Sequence, residues 1–277
     1  MSEINFNGEH ISSDSPFLGS ANRAFRYGDG IFESIRMFEG KIPFLKMHFL
    51  RLQEGARLLR LDLPTYLDPD FIAKEIGLLT GDCQNARIRL VLFRKDGGLY
   101  TPLSNAVSYL IEFEPLSSIN FEFPPVGLKL GICPFYLAVF HHLSAIKSCN
   151  RLQNIVAVIY AKENEYDDCL ILNTKDEIAE SSSSNIFFIR GKHLFTPPLT
   201  SGCIAGTIRN FIIEHAGTLG FTIEEMSVHK NELHRFEEVF LTNAIQGIRP
   251  VKQIGDISFD IDKSNVLLSA LNEFVRK

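Results

Sequence analysis

Leu143-Ser-Ala-Ile-Lys147-Ser-Cys-Asn150-Arg151-Leu152 sets one lysine between an apolar approach and the start of a helix. Most other lysines lie among charges or turns: Lys162 beside Glu163, Lys175 beside Asp176, Lys192 after Gly191. A desolvated lysine loses its proton more readily and becomes a nucleophile toward carbonyls. On this segment alone the favoured reading is an ordinary exposed lysine at a strand end. Beyond it, Leu152, Ile155, Val156 and Ile159 recur at helical spacing, which predicts a helix over 150–163 with these residues as its apolar stripe.

Working outward, strands are expected at 128–133, 168–173, 185–190 and 238–242, and helices at 207–219 and 263–275. Toward the N-terminus, Asn7-Gly8 between Ile4-Asn5-Phe6 and His10-Ile11 signals a hairpin. A second hairpin is expected from Ile31–Phe38 through Glu39-Gly40 into Lys41–Leu45. From Leu45 the period changes: Leu45, Phe49, Leu52, Ala56 and Leu59 share a helix face. Residues 87–93 and 107–113 read as paired strands joined through Asp96-Gly97-Gly98. Pro115, Ser117, Ser118, Pro124 and Pro125 mark a linker over 115–125. The expectation is an α+β chain of two domains, 1–114 and 126–277, rather than a regular βαβ series.

Five further places carry candidate chemistry. Glu180, between Ala179 and Ser181–Ser184, is either a solvated turn carboxylate or a partly buried partner for a protonated ring nitrogen. The four serines read as a turn or as hydroxyls lining a ligand. Gly206-Thr207 opens the helix at 207, where free N–H groups suit a phosphate and Thr207 suits a simple cap. Thr242-Asn243 ends a strand with polar groups that add phosphate contacts or form an ordinary turn exit. Arg51 shares a helix face with His48, and Arg87 and Arg89 share the strand face opposite Ile88, Leu90 and Leu92. These arginines suit phosphate or carboxylate by their forked geometry, or else meet water or acidic neighbours.

Composition removes several classes. With 277 residues, 45% hydrophobic and 22% charged, the chain has the make-up of a soluble globular protein. A net charge of −5 argues against general nucleic-acid binding. No stretch reads as a membrane span or signal peptide, so a cytoplasmic location is expected. Cys83, Cys133, Cys149, Cys169 and Cys203 form no CxxC pair, and no metal-ligating cluster is read. GxxxxGK[ST], HExxH and GxSxG are absent, and Gly28-Asp-Gly-Ile-Phe-Glu33 has glutamate where a dinucleotide loop needs its third glycine.

Taken in order, the segments resemble a known family. Arg26-Tyr-Gly-Asp-Gly-Ile-Phe-Glu-Ser-Ile-Arg36, His48-Phe-Leu-Arg51-Leu, Lys147-Ser-Cys-Asn-Arg-Leu152, Glu180 before Ser-Ser-Ser-Ser-Asn-Ile-Phe, Thr196-Pro-Pro-Leu, Gly206-Thr-Ile-Arg209 and Thr242-Asn-Ala follow the succession of the class IV aminotransferases. These are fold-type IV pyridoxal-phosphate enzymes, and the likeness covers about residues 20 to 252. The resemblance implies a small N-terminal α/β domain and a larger C-terminal mixed, β-barrel-like domain. It implies pyridoxal 5'-phosphate on Lys147 as a Schiff base, with Lys147 also the proton shuttle and Glu180 opposite the pyridinium nitrogen. It further assigns Arg51, Gly206, Thr207, Thr242 and Asn243 to the phosphate, and Tyr27 and Arg89, with Arg94 or Tyr100 on the adjoining loop, to an amino- or keto-acid substrate. A homodimer is implied as well. Within the family, Lys147–Leu152 and Thr242-Asn-Ala with Pro250-Val251 are most similar to 4-amino-4-deoxychorismate lyases. Tyr27 and Phe32-Glu33 resemble branched-chain and D-amino-acid transaminases, which rank second, and Leu152 stands where branched-chain enzymes usually carry tyrosine. A catalytically silent cofactor-binding relative is the reading from another class.

Overall fold

The structure, a computed structural model, describes residues 3–124 and 126–276, so Pro125 of the expected linker lies outside the described residues. The chain folds into two compact units: residues 1–119 with 146–150, and residues 120–145 with 151–277.

The first unit opens with the hairpin of β1 (Glu3–Phe6) and β2 (Glu9–Ser12), whose turn residues Asn7 and Gly8 both take positive φ. Helix α1 (Arg23–Tyr27) is capped by the Asn22 side chain and leads into β3 (Gly30–Met37). Helices α2 (Leu45–Leu59) and α3 (Pro69–Thr80) follow, then β4 (Ala86–Arg94) and β5 (Val107–Pro115). Among the described residues these strands form a five-stranded sheet in the order β2-β1-β5-β4-β3. The return arm expected at Lys41–Leu45 reduces to one bridge between Phe38 and Lys41. Pro43 has no N–H for a ladder, and β3 pairs along its whole length with β4 instead. Helix α3 was not read from the sequence, although Asp68 caps it and Pro69 occupies its first position.

In the second unit β6 (Leu128–Ile132) precedes α4 (Leu152–Glu163), β7 (Asp168–Leu172), β8 (Ile178–Ser181), β9 (Asn185–Arg190) and β10 (His193–Thr196). Then come α5 (Thr207–His215), β11 (Thr222–Glu225), β12 (Glu238–Asn243), β13 (Gly247–Ile254), β14 (Ile257–Ser258) and α6 (Ser264–Arg276). The strands join in one mixed sheet, β11-β10-β9-β12-β13-β6-β7-β8 with β14 on β13, which curls into a half-barrel. The helix expected over 207–219 is α-helical only to His215 and tightens to 3-10 over Ala216–Leu219.

Two expectations change. Chain order put residues 146–150 in the later domain, but they pair with β3 through an Ile31–Ser148 bridge and belong to the first unit. The apolar stripe of α4 faces outward: Leu152 is 70% exposed, and Ile155 and Ile159 are each about half exposed. The helix meets β7 through Ala157 and Ala161, and their small side chains let Cys169 Sγ reach the Ala157 carbonyl at 3.0 Å. The core of the second unit is formed by strand residues, among them the parallel-stacked rings of Phe187 and Phe240, 5.0 Å apart and fully buried. Phe187→Ala is expected to lower stability by about 3–5 kcal/mol; urea unfolding measures it, and a loss under about 1 kcal/mol would contradict this packing.

Candidate active site

Lys147 is held by backbone pairing. Phe32 N donates to its carbonyl at 2.9 Å, and Cys149 N donates to Gly30 O at 2.8 Å. Close approach of α2 supports the segment, because a Cβ on Gly55 would lie 3.1 Å from Ile31 and 3.8 Å from Ile146. The half-buried Lys147 places its Nζ 4.6 Å from the Phe32 ring, and the Arg89 guanidinium lies 4.1 Å from the same ring. Phe32 thereby gathers two of the residues picked out from the sequence. Arg89 and Arg87 also face Glu112 and Glu114 across β5, at 3.5 and 3.4 Å.

The opposite face of β3 carries a carboxylate that sequence reasoning did not assign. Glu33 lies between Ile31 and Ile35 on the buried face, and a charge there needs a partner. Arg51 grips it through Nε at 2.8 Å and through Nη2, and His48 Nδ1 meets it at 2.6 Å. Burial raises the Glu33 carboxyl, but Arg51 and the His48 hydrogen bond outweigh it and bring the pKa down to about 2. Burial, assisted by the charges of Arg51 and Lys147, depresses His48 despite Glu33, so the imidazole is neutral at pH 7. Its Nε2 is buried with no partner.

Tyr27 and Tyr100 sit together, ring centroids 5.6 Å apart, with Tyr100 largely exposed on the 95–105 loop. Arg94 is a different matter from the substrate-loop residue expected. It is buried, and its donors go to Asp29 (2.9 Å), Asn105 (2.6 Å) and the carbonyls of Leu59 and Arg60. Arg23 meets the same Asp29 oxygen at 2.8 Å and bonds the carbonyls of Gly97 and Leu99. Arg94 therefore braces the loop from within rather than facing a ligand. Burial raises the Asp29 carboxyl, but the two arginines hold it below the usual carboxylate range.

The second unit carries the other candidate residues. Glu180, buried on β8, accepts from Ile204 N at 3.0 Å, and Asn185 Nδ2 donates to Ile204 O at 2.8 Å. These bonds fix both the N–H and the C=O of Ile204, two residues before Gly206. A Cβ at Gly206 would fall 1.9 Å from Asn185 Oδ1, so only glycine fits. Helix α5 starts immediately afterwards with no side-chain cap; Thr207 does not cap it. Directly opposite Asn185 in the sheet is Thr242, whose buried Oγ1 has no partner. An uncapped helix start beside an orphaned hydroxyl suits a phosphate. Asn243 adjoins, held by Ser184 Oγ at 2.9 Å. The serines are no loose turn: Ser181, Ser182 and Ser183 all donate to Asp168. Asp168 and Asn185 were missed because nothing local distinguishes a buried acid or amide at a strand start.

With this geometry in view, comparison gives the family. The amino-transferase class IV family model matches residues 30–254. An aminodeoxychorismate lyase of Vibrio harveyi is 26% identical over 252 residues, covering 87% of this chain and 89% of the relative. A branched-chain aminotransferase of Thermoproteus uzoniensis, solved with norvaline, superposes with TM-score 0.88 at 22% identity over 100% and 95% of the two chains. An aminotransferase of Brucella abortus bound to pyridoxal phosphate gives TM-score 0.86 at 22% identity over 99% of each. The chain belongs to the class IV aminotransferase family, and is an enzyme of that pyridoxal-phosphate-dependent class. Among the described residues no helix is long and apolar enough to cross a membrane.

The Glu33 carboxyl, lowered from 4.5 to about 2, contributes stability that is complete above pH 4.5 and is lost as pH falls toward 2. Acid unfolding of Glu33→Gln should therefore show a shallower loss across that interval than wild type. Parallel acid limbs would refute the pairing.

Proposed function

We propose that the chain catalyses elimination from an amino-acid-like carboxylate, as a 4-amino-4-deoxychorismate lyase does. The observation that carries a phosphate-bearing cofactor is the orphaned Thr242 Oγ1 opposite Asn185, beside an uncapped α5 whose first residue follows a glycine with no room for a Cβ. Lyase chemistry is supported by the Lys147–Leu152 sequence and by the Vibrio harveyi relative. The second reading, branched-chain or D-amino-acid transamination, is supported by Tyr27 and Phe32-Glu33.

When bound, pyridoxal phosphate supplies an electron sink for a carbanion at the substrate α-carbon. Lys147 would hold the cofactor through its Nζ and would be the group that moves the proton at the substrate α-carbon. Glu180, fixed by Ile204 N, would be the carboxylate that keeps a proton on the ring nitrogen. Gly206, the Thr207 N–H, Thr242 and Asn243 would hold the phosphate, as would Arg51, which Glu33 orients. Arg89 receives the substrate carboxylate, with Tyr27 and Tyr100 beside the substrate; Arg94 is withdrawn from that role.

A homodimer belongs to the same proposal. Leu152, Ile155, Val158 and Ile159 of α4 are exposed, and the Phe135–Tyr160 ring contact brings the exposed Phe135, Tyr136, Val139 and Phe140 segment alongside. An apolar patch of this kind marks a protein interface. The five free cysteines support a cytoplasmic location.

Borohydride treatment of the loaded protein should fix cofactor absorbance onto Lys147 and leave Lys147→Ala unlabelled. Pyruvate and p-aminobenzoate from aminodeoxychorismate would support the lyase reading. Glutamate formed from 2-oxoglutarate and an amino acid would replace it with transamination, and no product from either would favour a silent relative. Ile155→Glu with Ile159→Glu should convert a dimer to a monomer by light scattering; a monomeric wild type refutes the dimer.

A further inference from the structure

We infer that Asp168 is a positioning residue for the phosphate cradle, an inference that rests on the cofactor reading above. Its carboxylate is buried and takes five donors: Ser181 Oγ at 2.9 Å, Ser182 N at 3.1 Å, Ser182 Oγ, Ser183 Oγ at 3.1 Å and Cys169 N at 2.7 Å. All five donors are neutral. Such a cluster holds its shape because each hydroxyl or amide it loses leaves a buried oxygen unsatisfied. The consequence is directional. Ser181, Ser182 and Ser183 spend their protons on Asp168, so the turn is fixed from its interior, and Ser181 Oγ in turn accepts from Ser184 N at 3.1 Å.

Two connections run outward from that turn. Ser184 Oγ accepts from Asn243 Nδ2 at 2.9 Å, which sets the residue after Thr242. Ser184 also leads directly into Asn185, which is opposite Thr242, bonds Ile204 O and fills the space over Gly206. A third connection, Asn154 Nδ2 to Ser182 O at 2.9 Å, ties α4 to the same turn. Asp168 touches none of the residues offered to the phosphate, yet both sides of the cradle are reached from its serines. Removing its charge should loosen the phosphate end of the cofactor and leave the ring end, where Ile204 N still holds Glu180, less affected.

The test compares pyridoxal phosphate with pyridoxal, which lacks the phosphate, by equilibrium binding to the full chain. Asp168→Asn is expected to weaken pyridoxal phosphate about tenfold or more while moving pyridoxal by less than about twofold. Ser182→Ala, a gentler variant in case Asp168→Asn fails to fold, should shift the ratio in the same direction, and Ser182→Thr, which keeps the hydroxyl, should restore it. Urea midpoints measured alongside separate a general loss of stability from this effect. Equal weakening of both ligands, or unchanged affinity despite a lower midpoint, overturns the inference. Wild-type protein that binds neither ligand overturns the cofactor reading and this inference together, whereas wild-type binding with an unmoved ratio in the variants overturns this one alone.

Discussion

A carboxylate taken out of water must be met by donors wherever the chain puts it, and much of this molecule is arranged around that demand. Asp168 and Glu33 show the two available solutions. Asp168 is surrounded by hydroxyls and amides, which forces residues 181–184 to wrap around one point and so determines where the strand after them begins. Glu33 is met by a guanidinium and an imidazole from α2, which locks that helix to β3 and fixes the orientation of Arg51. Neutral donors make a rigid turn, whereas a cation makes a strong pair across two elements.

The same accounting explains which polar groups remain for a ligand. Where every donor nitrogen of a buried cation is already taken, as with Arg94 between Asp29, Asn105 and the carbonyls of Leu59 and Arg60, the residue is structural whatever its position in the chain. Where a polar atom is left over in the interior, as with Thr242 Oγ1 near the end of β12, the residue is a candidate for meeting something else. Sorting candidates by what their atoms already do separates Arg94 from Arg89, which motif order alone treats alike.

The sequence revealed the strand frame well. The aliphatic and aromatic runs at 185–190 and 238–242 stand at β9 and β12 because such residues fit a sheet buried on both faces. It misread α4 because periodicity ranks residues by size and apolarity, while the contact is made by Ala157 and Ala161, chosen for being small. It missed Glu33 and Asp168 because a charge is by default assigned to solvent, and only the register of its neighbours shows otherwise. The pairing of residues 146–150 with β3 left no local signal at all, since it is a contact between segments remote in the chain. Of the candidate site, Lys147, Glu180, Gly206 and Thr242 stand out in the sequence through their order, while the groups that hold them in place do not.

That remote pairing also bears on how the molecule comes into being. The strand segment carrying Lys147 completes the first unit, yet it is encoded after the second unit has already begun. During synthesis the N-terminal sheet emerges without its last partner, and the second unit is interrupted until residues 146–150 have left it. The first unit therefore cannot close until residue 150 has been made, when residues 120–145 of the second unit are already in the chain, and long-range closure of this kind is intrinsically slow. The lysine reaches its place only when a segment lying beyond the start of the second unit folds back onto β3, so a truncated product ending before it would carry a first unit without that pairing.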